Sequence, residues 1–454
     1  MGGLFASLHS AADALGVYER ALTVSQNNIT NASTPGYAKQ RLQFQAKSFD
    51  PAGGLSGGVT AGPIVSSRDP MLESSVRQRS SDYGRASQNA ATLEQLEPIL
   101  GVTDGAAIPG SLSKLFQSFS ALSVTPNDTS ARQSVLDAAA GFAAAMNSTA
   151  AELSTAANDT WQQAGAQVAQ INDLATRIQS LNSARRQAGT SGTDAGVDAQ
   201  MNSLLEELSQ IADVSVLHQQ DGTVSVYMGG LTPLVMGDTA YPISAQQQAG
   251  GAVQVLDSQG HDITGNVKGG TLAGLLDAAN TQIPSYLDGL HRLAAGVADQ
   301  VNATLAGGVD QNGQPPAQNL FLYNSPGDAA ATLAVNPLTP DQVAAATADA
   351  PGGNGNALLL ADLGSSAQLD GVTFSVFYGN VAGGLGRDLS AAREASDTQQ
   401  FLLDQSKALR EQTSGVSIDE EATRIMEMQR AYQATAQMIT VLNSLTETVL
   451  GMIQ

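Results

Sequence analysis

The chain has 454 residues, which is more than one ordinary hydrophobic core accommodates, so we expect about two to four folding units. Its 42 acidic residues outnumber 21 lysines and arginines, and the resulting charge of -21 disfavours nucleic acids and anionic membrane surfaces as partners. Cysteine is absent, which excludes disulfide scaffolds and thiolate metal sites, while 1 Trp and 4 His leave few groups for a catalytic pocket.

The first twenty residues, MGGLFASLHSAADALGVYER, lack the basic region of a signal peptide. No apolar run approaches the ~20 residues of a membrane helix. We therefore expect neither a cleaved secretory leader nor insertion into a membrane.

The first predicted element is a helix whose apolar positions recur in alternating steps of four and three. Such a heptad seam is typical of a helix that pairs with another helix. The seam consists of Leu4, Leu8, Ala11, Leu15, Tyr18, Leu22, Ser25 and Ile29.

The stretch NNITNASTPGY at 27–37 predicts the end of this helix near Ile29 to Ala32. Asparagine side chains compete for backbone hydrogen bonds, proline disfavours helix at the residue before it, and glycine permits a sharp turn. We expect Tyr37 to anchor the chain where it crosses between layers, or to be a buried tyrosine of an ordinary loop. The motif residues are Asn27, Asn28, Asn31, Pro35, Gly36 and Tyr37.

The middle of the chain is predicted to be mostly helical, with strands inserted. DVSVLHQQDGTVSVYM at 213–228 alternates on both sides of an Asp-Gly turn and predicts a hairpin. Further strands are predicted for AVQVL at 252–256 and GVTFSVFYG at 371–379, and a loop for GTSGTDAG at 189–196. Helical spacing is found at 83–100, 112–122, 131–186, 272–306 and 389–412, whereas 310–365 reads as irregular.

A second heptad seam predicts a helix at the C-terminal end. Ser417 is positioned to cap it, and the three carboxylates that follow suit the positive end of a helix dipole. One seam position is occupied by Ile418, Ile425, Tyr432, Ile439 and Ile453, and the other by Met428, Thr435, Leu442 and Val449.

These patterns predict a mainly α fold with inserted β-rich domains and nested, discontinuous domains. The N- and C-terminal helices are expected to pair as a coiled-coil core. The predicted division is a terminal domain of 1–45 and 414–454, a helical body of 46–212, 268–309 and 381–413, and β-rich or irregular outer inserts of 213–267 and 310–380.

Enzyme and metal motifs are weak, so no catalytic, cofactor-binding or metal-binding residues are predicted. GLSGG at 54–58 matches the GxSxG pattern of hydrolases, but its glycine-rich flanks favour a loop. The four histidines are scattered, and DQNG at 310–313 fits a plain turn better than a calcium loop.

Both ends of the chain resemble the flagellar rod, hook and hook-associated axial proteins. NNITNASTPGYAKQ is similar to the N-terminal signature of that family, and SGVSIDEEATRIMEMQRAYQATAQMI to its C-terminal counterpart. Middle segments such as SFSALSVTPNDTSARQSVL resemble the hook-associated members. In contrast, DAQMNSLLEEL at 198–208 departs from the family pattern, and the chain is short for the family.

The resemblance implies a structural, non-enzymatic subunit of the hook-filament junction. Such a subunit is exported unfolded by the flagellar type III apparatus and assembles in a ring through its terminal helices, outside the cell. Implied neighbours are the hook protein and the second hook-associated protein, with an export chaperone on the C-terminal helices. The alternatives are another axial protein, namely the second junction protein or a hook subunit, or a secreted hydrolase or adhesin.

Overall fold

Long helices form most of the chain. The computed structural model describes residues 2–50, 55–101, 107–188, 194–248 and 251–452. The α-helices are α1 Gly2–Thr30, α2 Pro70–Leu96, α3 Ala107–Val124, α4 Thr129–Ala188, α5 Ala195–Ile211, α6 Gly270–Asp277, α7 Ile283–Ala306, α8 Ala329–Thr332, α9 Gly355–Asp362, α10 Phe374–Ser414 and α11 Ile418–Gly451. A π-helical turn, Ala278–Gln282, joins α6 to α7, and short 3-10 turns occupy Thr264–Asn266, Pro326–Asp328 and Pro340–Gln342.

The strands are short and belong to small antiparallel sheets. They are β1 Gln40–Ala46, β2 Phe49–Asp50, β3 Leu55–Ser56, β4 Val59–Ser66, β5 Val214–His218, β6 Val224–Met228, β7 Thr232–Met236, β8 Thr239–Ala240, β9 Ser244–Gln247, β10 Val253–Leu256, β11 Gly308–Val309, β12 Phe321–Leu322, β13 Ala334–Val335 and β14 Ala346–Thr347. The largest sheet has the order β5-β6-β7-β8, and the described pairs are β1-β4, β2-β3, β9-β10, β11-β14 and β12-β13. This combination confirms the predicted mainly helical fold with inserted β structure.

Helix ends follow local capping chemistry. The Asp69 side chain accepts a hydrogen bond from the Met71 N–H at 2.8 Å, and Pro70 occupies the first turn of α2, where its missing N–H costs nothing. Ser417 likewise caps α11 by accepting from the Glu420 N–H, which confirms its predicted role. Helix α1 ends at Thr30, within the range Ile29 to Ala32 that the sequence predicts.

The long helical periodicities and the Asp-Gly hairpin were predicted correctly. The pattern at 131–186 corresponds to one helix, α4, of 60 residues. Strands β5 and β6 pair antiparallel in the expected hairpin, and Gly222 in its turn has φ +79. The predicted strand at 252–256 is β10. Of the predicted loop at 189–196, residues 189–193 lie outside the described residues, while Asp194 caps α5 and the helix begins at Ala195, so the loop is shorter than predicted.

The predicted strand at 371–379 is wrong, because this segment begins α10. Its apolar residues alternate, but Phe374, Phe377 and Tyr378 also follow helical spacing, and all three are buried on one side of the helix. Thr373 caps this helix by accepting a hydrogen bond from the Val376 N–H. A cap directly before residues at helical spacing therefore outweighs the alternation.

Two large hydrophobic cores share α4 as a common element. The first half of α4 packs with α3, α7, α9 and α10, and the segment around Phe321 packs on the same core. The second half of α4 packs with α5, α6 and the strands of 214–255. Edge-on contact of Phe142 with Phe321, at 6.1 Å between ring centroids, shows how closely the irregular segment is joined to the helices.

Asparagines on the helical segments bind the backbone of strands, or of a residue next to a strand, through both the oxygen and the nitrogen of their side-chain amides. In each case the side-chain oxygen accepts from the N–H of one residue, and the side-chain nitrogen donates to the C=O of the same residue. The pairs are Asn28 with Gln40, Asn172 with Ile243, Asn182 with Val224, Asn280 with Val253 and Asn302 with Phe321. Buried backbone groups are satisfied in this way where no neighbouring strand is present.

A third, small core lies at the terminal helices. Val17, Ala21 and Val24 of α1 and Leu42 of β1 are buried together, and Met428 of α11 packs against them. The hairpin of β1 and β4 contributes Val59 and Ala61 to this core. This hairpin, which the predicted division gives partly to the body, therefore packs on α1, while the division itself stays a prediction.

Candidate assembly interface and its joint to the body

Helices α1 and α11 lie side by side and run in opposite directions. The end of α1 and the start of α11 meet at the same place, near Asn28 and Glu421, and Met428 then packs against the middle of α1. The two ends of the chain therefore form one helical pair, as the heptad patterns predict.

The predicted seam residues are mostly half-buried. Ala11 and Ser25 are buried, whereas Ile418 and Tyr432 are exposed, and Ile453 lies outside the described residues. The remaining predicted positions are half-buried: Leu4, Leu8, Leu15, Tyr18, Leu22, Ile29, Ile425, Met428, Thr435, Ile439, Leu442 and Val449. Whether they contact other subunits stays a prediction.

A buried face of α1 beside the predicted seam is turned toward the β1-β4 hairpin. Val17, Ala21 and Val24 occupy it at helical spacing. The hairpin is further held by Tyr18, whose ring centroid lies 6.4 Å from that of Phe44, and by the hydroxyl of Ser10, which donates to the Gly57 carbonyl at 2.9 Å. The hairpin thus covers one side of α1.

Asn28 organises the turn that follows α1. It is fully buried, and its Oδ1 accepts hydrogen bonds from the Gln40 N–H and the Tyr37 hydroxyl, each at 2.9 Å. Its Nδ2 donates to the Gln40 carbonyl at 2.9 Å. Burial raises the pKa of the Tyr37 phenol, and the negative charge of Glu421 raises it further, so the hydroxyl keeps the proton that it donates to Asn28.

The other motif residues shape the backbone. Asn31 extends the last helical turn, because its N–H and its Nδ2 both donate to the Asn27 carbonyl. Gly36 has φ +72, and a Cβ there would lie 2.3 Å from the Ala199 carbonyl oxygen of α5. Only glycine therefore allows the turn to approach α5 this closely.

Three backbone segments cross where the terminal pair meets the body. The Lys39 N–H donates to the Ser414 carbonyl at 2.8 Å, and the Ser67 N–H donates to the Lys39 carbonyl at 2.8 Å. The Ser414 hydroxyl then donates to the Ser67 carbonyl at 3.1 Å. These bonds close a ring around the point where the chain leaves and re-enters the terminal helical pair, which we call the joint.

A half-buried group of charged side chains surrounds the joint. Arg410 contacts Glu206 at 2.7 Å and Glu73 at 3.4 Å, and Glu73 is paired with Arg68 as well. Lys407 contacts the other Glu206 oxygen at 3.1 Å. Burial alone would raise the pKa of Glu206, but its two cationic partners outweigh burial and lower it. The group links α2, α5 and α10 beneath the turn.

The structure places the weak enzyme and metal motifs in a strand and a turn. Ser56 is followed by strand β4 instead of the helix that a nucleophile elbow requires, and Gly54 lies outside the described residues. DQNG is a turn, since Asp310 Oδ1 accepts from the Asn312 and Gln314 N–H groups. Within the described ranges, no group of three or more acidic or histidine side chains is placed to bind a metal ion.

No described helix is both long enough and apolar enough to cross a membrane.

Sequence reasoning missed the residues that connect the terminal pair to the rest of the chain. The hairpin-facing positions of α1 have helical spacing and could have been recognised as a second apolar stripe. The ion pair of Lys39 with Glu420, at 3.1 Å, joins residues 381 positions apart, so no local signal could have revealed it.

Comparison with known proteins gives consistent matches. A family model described as "Flagellar hook-associated protein FlgK helical domain" matches residues 93–321, and one described as "Flagellar basal body rod FlgEFG protein C-terminal" matches 406–452. Flagellar hook-associated protein 1 of Bacillus subtilis is 24% identical over 511 residues, covering 99% of each chain. The protein of the same name from Escherichia coli is 22% identical over 547 residues, covering 98% of this chain and 99% of that protein.

A solved structure shares the fold. The flagellar hook junction protein FlgK from Burkholderia pseudomallei superposes with a TM-score of 0.68 at 16% sequence identity. The superposition covers 76% of this chain and 100% of that one.

Proposed function

The chain belongs to the FlgK family of flagellar hook-associated proteins, and we propose that it is a hook-filament junction subunit that assembles through its terminal helices. It is thus a structural component of the bacterial flagellum. Polymerisation through α1 and α11, assembly in a ring, and contact with the hook protein and the second hook-associated protein are parts of this proposal.

The observation that carries the proposal is the composition of the half of the helical pair that lies away from the joint. This half consists of residues 2–18 and 431–452, and we call it the far half. Among residues 2–18 the charged side chain is Asp13, and among residues 431–452 it is Glu447. The rest of the chain carries most of a net charge of -21, so two copies repel each other elsewhere. The far half is therefore the region where copies can approach with least electrostatic repulsion.

Exposed apolar side chains lie on this same half. On α11 they follow each other in steps of three, four and seven beside the predicted seam, as in a coiled-coil helix with a second partner. They are Met438, Val441, Leu445 and Met452, with Phe5 exposed on α1. Such a stripe suits packing between neighbouring subunits in a tube wall.

Export and chaperone binding complete the proposal. We infer that the chain leaves the cell unfolded through the flagellar type III apparatus. An export chaperone would bind the C-terminal helices, since their apolar stripe is uncovered before assembly. The predicted division into terminal domain, body and outer inserts is retained as part of this proposal.

The test replaces Val441 and Leu445 together by aspartate in the full chain. Both side chains are exposed, 57% and 49%, so the isolated chain should keep its helix content by circular dichroism. In a strain that lacks the wild-type protein, we expect intact hooks without filaments and unpolymerised flagellin in the medium. The matched control is Thr440→Asp, which adds a charge to the polar side of the same helix and should leave filaments normal.

Normal filaments with the double variant would refute assembly through this stripe. Loss of helix content in the isolated chain would instead place these two residues in an internal core.

A further inference from the structure

His291 joins helix α7 to the short helix α8. The side chain is half-buried, and its Nδ1 accepts a hydrogen bond from the Ala330 N–H at 3.1 Å. A backbone N–H can only donate, so this Nδ1 carries no proton and the imidazole is neutral, with its proton on Nε2. The contact therefore exists for one protonation state of the histidine.

Helix α8 depends on side chains from other helices at both of its ends. It has four residues, Ala329–Thr332, and the side chain of the preceding Asp328 does not cap it. The N–H groups of a first helical turn have no acceptor within the helix, and Ala330 is 0% exposed, so water cannot readily replace His291 as the acceptor. At the other end, Asn147 of α4 donates to the Leu333 carbonyl at 3.0 Å.

Two other side chains of α7 bind the segment that contains α8, which is residues 320–335 and is called the 320–335 segment below. Asn302 binds both backbone groups of Phe321, and Asp299 accepts from the Tyr323 hydroxyl at 2.8 Å. Positions 291, 299 and 302 lie along one face of α7. Of these three side chains, the imidazole is the one whose charge changes between pH 5 and 8.

The charged groups around His291 are few. Asp288 lies on the same helix and Asp328 lies in the 3-10 turn before α8, while the neighbouring Arg292 is paired with Asp370. Burial lowers the pKa of His291, and the two carboxylates offset this only in part. The neutral imidazole is therefore favoured in the folded chain, and Asp288 and Asp328 are the acceptors nearest to a protonated one.

We propose that His291 is a pH switch that holds the 320–335 segment on α7 when neutral and releases it when protonated. A proton on Nδ1 turns the acceptor into a donor, so the buried Ala330 N–H loses its partner and the imidazolium turns toward Asp288 or Asp328. The inference does not depend on the proposed function, because it concerns the single folded chain.

The direction of the pH effect follows from where the proton binds more readily. The released segment exposes a histidine with the ordinary pKa of about 6.5, whereas the attached segment resists protonation. The segment is therefore fully attached above that pKa, and its attachment weakens as the pH falls below it.

The test is hydrogen exchange with mass spectrometry of the full, unassembled chain at pH 7.5 and pH 5.0. Each rate is divided by the intrinsic rate of an unstructured peptide at the same pH. Peptides covering 320–335 are expected to lose between threefold and about thirtyfold of their protection at pH 5.0, where the upper limit applies if the attached form binds no proton. Aspartates stay mostly ionised over this range, so they contribute little to the change.

Three variants separate the imidazole from other causes. His291→Asn keeps an acceptor near the Nδ1 position but does not titrate, so the segment should stay protected at both pH values. His291→Leu removes the acceptor, and the segment should be released at both. The matched control is His261→Asn, because His261 is 77% exposed and paired with Asp257 in another part of the chain. It should keep the full response of the 320–335 segment.

A loss of protection smaller than threefold in the wild-type chain would overturn the proposal, and so would a response in His291→Asn as large as in wild type. Equal protection of His291→Leu and wild type at pH 7.5 would show that the Ala330 bond does not hold the segment.

An NMR titration of the histidine ring protons in the unmodified chain provides a measurement that no folding defect of a variant can affect. The His291 imidazole should titrate below the exposed His261. A pKa for His291 equal to or above that of His261 would refute the switch.

Discussion

Replacement of Asn28 by alanine should detach the turn from α1. The change removes three hydrogen bonds, two to the backbone of Gln40 and one from the Tyr37 hydroxyl. Gln40 is 5% exposed, so water cannot readily replace the lost partner of its N–H or C=O group.

The expected magnitude follows from those two backbone groups. A buried donor or acceptor left without a partner costs about 1–3 kcal/mol, and local relaxation lowers the sum, so we expect about 2–4 kcal/mol. At 1.4 kcal/mol per factor of ten, local opening should increase roughly 30- to 700-fold.

The assay is hydrogen exchange with mass spectrometry of peptides covering 20–46, because a local opening at one end of a chain with several hydrophobic cores can escape a global melting curve. Asn27→Ala is the control, since Asn27 is exposed and its side chain makes no hydrogen bond in the described part of the chain. Asn28→Asp keeps an acceptor but loses the donor to Gln40, and it should open at least as far as Asn28→Ala. If Asn28→Ala and Asn27→Ala exchanged within a factor of three of each other, Asn28 would not hold the turn.

Two further predictions concern the joint. Gly36→Ala should be more destabilising than Gly313→Ala by at least about 1 kcal/mol in urea unfolding. Both glycines have φ +72, but only at Gly36 would a Cβ meet the Ala199 carbonyl. Equal losses of stability in the two variants would show that the close approach to Ala199 does not cause the effect. The lowered pKa of Glu206 stabilises the folded chain above the usual glutamate pKa of about 4.3, and this contribution is lost as the pH falls through the folded value. Glu206→Gln should therefore cost about 1–3 kcal/mol at pH 7 and little near pH 3, and a difference that did not depend on pH would argue against the Arg410 pairing.

Helices and the hairpin could be predicted because their signals are local. The end of α1 follows from asparagine, proline and glycine chemistry within a few residues, and the β5-β6 turn follows from one Asp-Gly pair. At 371–379 two local signals disagree, namely apolar alternation and helical spacing. Alternation alone predicted a strand where the structure has the start of α10. The cap at Thr373 was the signal that should have decided it.

The surroundings of the site could not be predicted, because they depend on partners distant in sequence. Asn182, near the end of a long helix pattern, gives no indication that it will bind Val224, 42 residues away. The face of α1 that carries Val17 faces inward only because the hairpin folds back on it. Apolar spacing identifies a stripe on a helix but does not identify what covers that stripe.

The contacts at the joint also explain why the NNITNASTPGY motif requires particular residue types and not only a flexible loop. Apolar packing is nondirectional and would let the terminal pair rotate against the body. Hydrogen bonds restrict direction as well as distance, and here they run from Asn28 to Gln40 and from Lys39 to Ser414. Because the small apolar core at the terminal helices is reinforced by these directional bonds, a contact made on the far half of the pair fixes the orientation of the body as well. A subunit that assembles through its terminal helices, as we propose, needs that coupling, since the position of the rest of the chain depends on how those helices are seated.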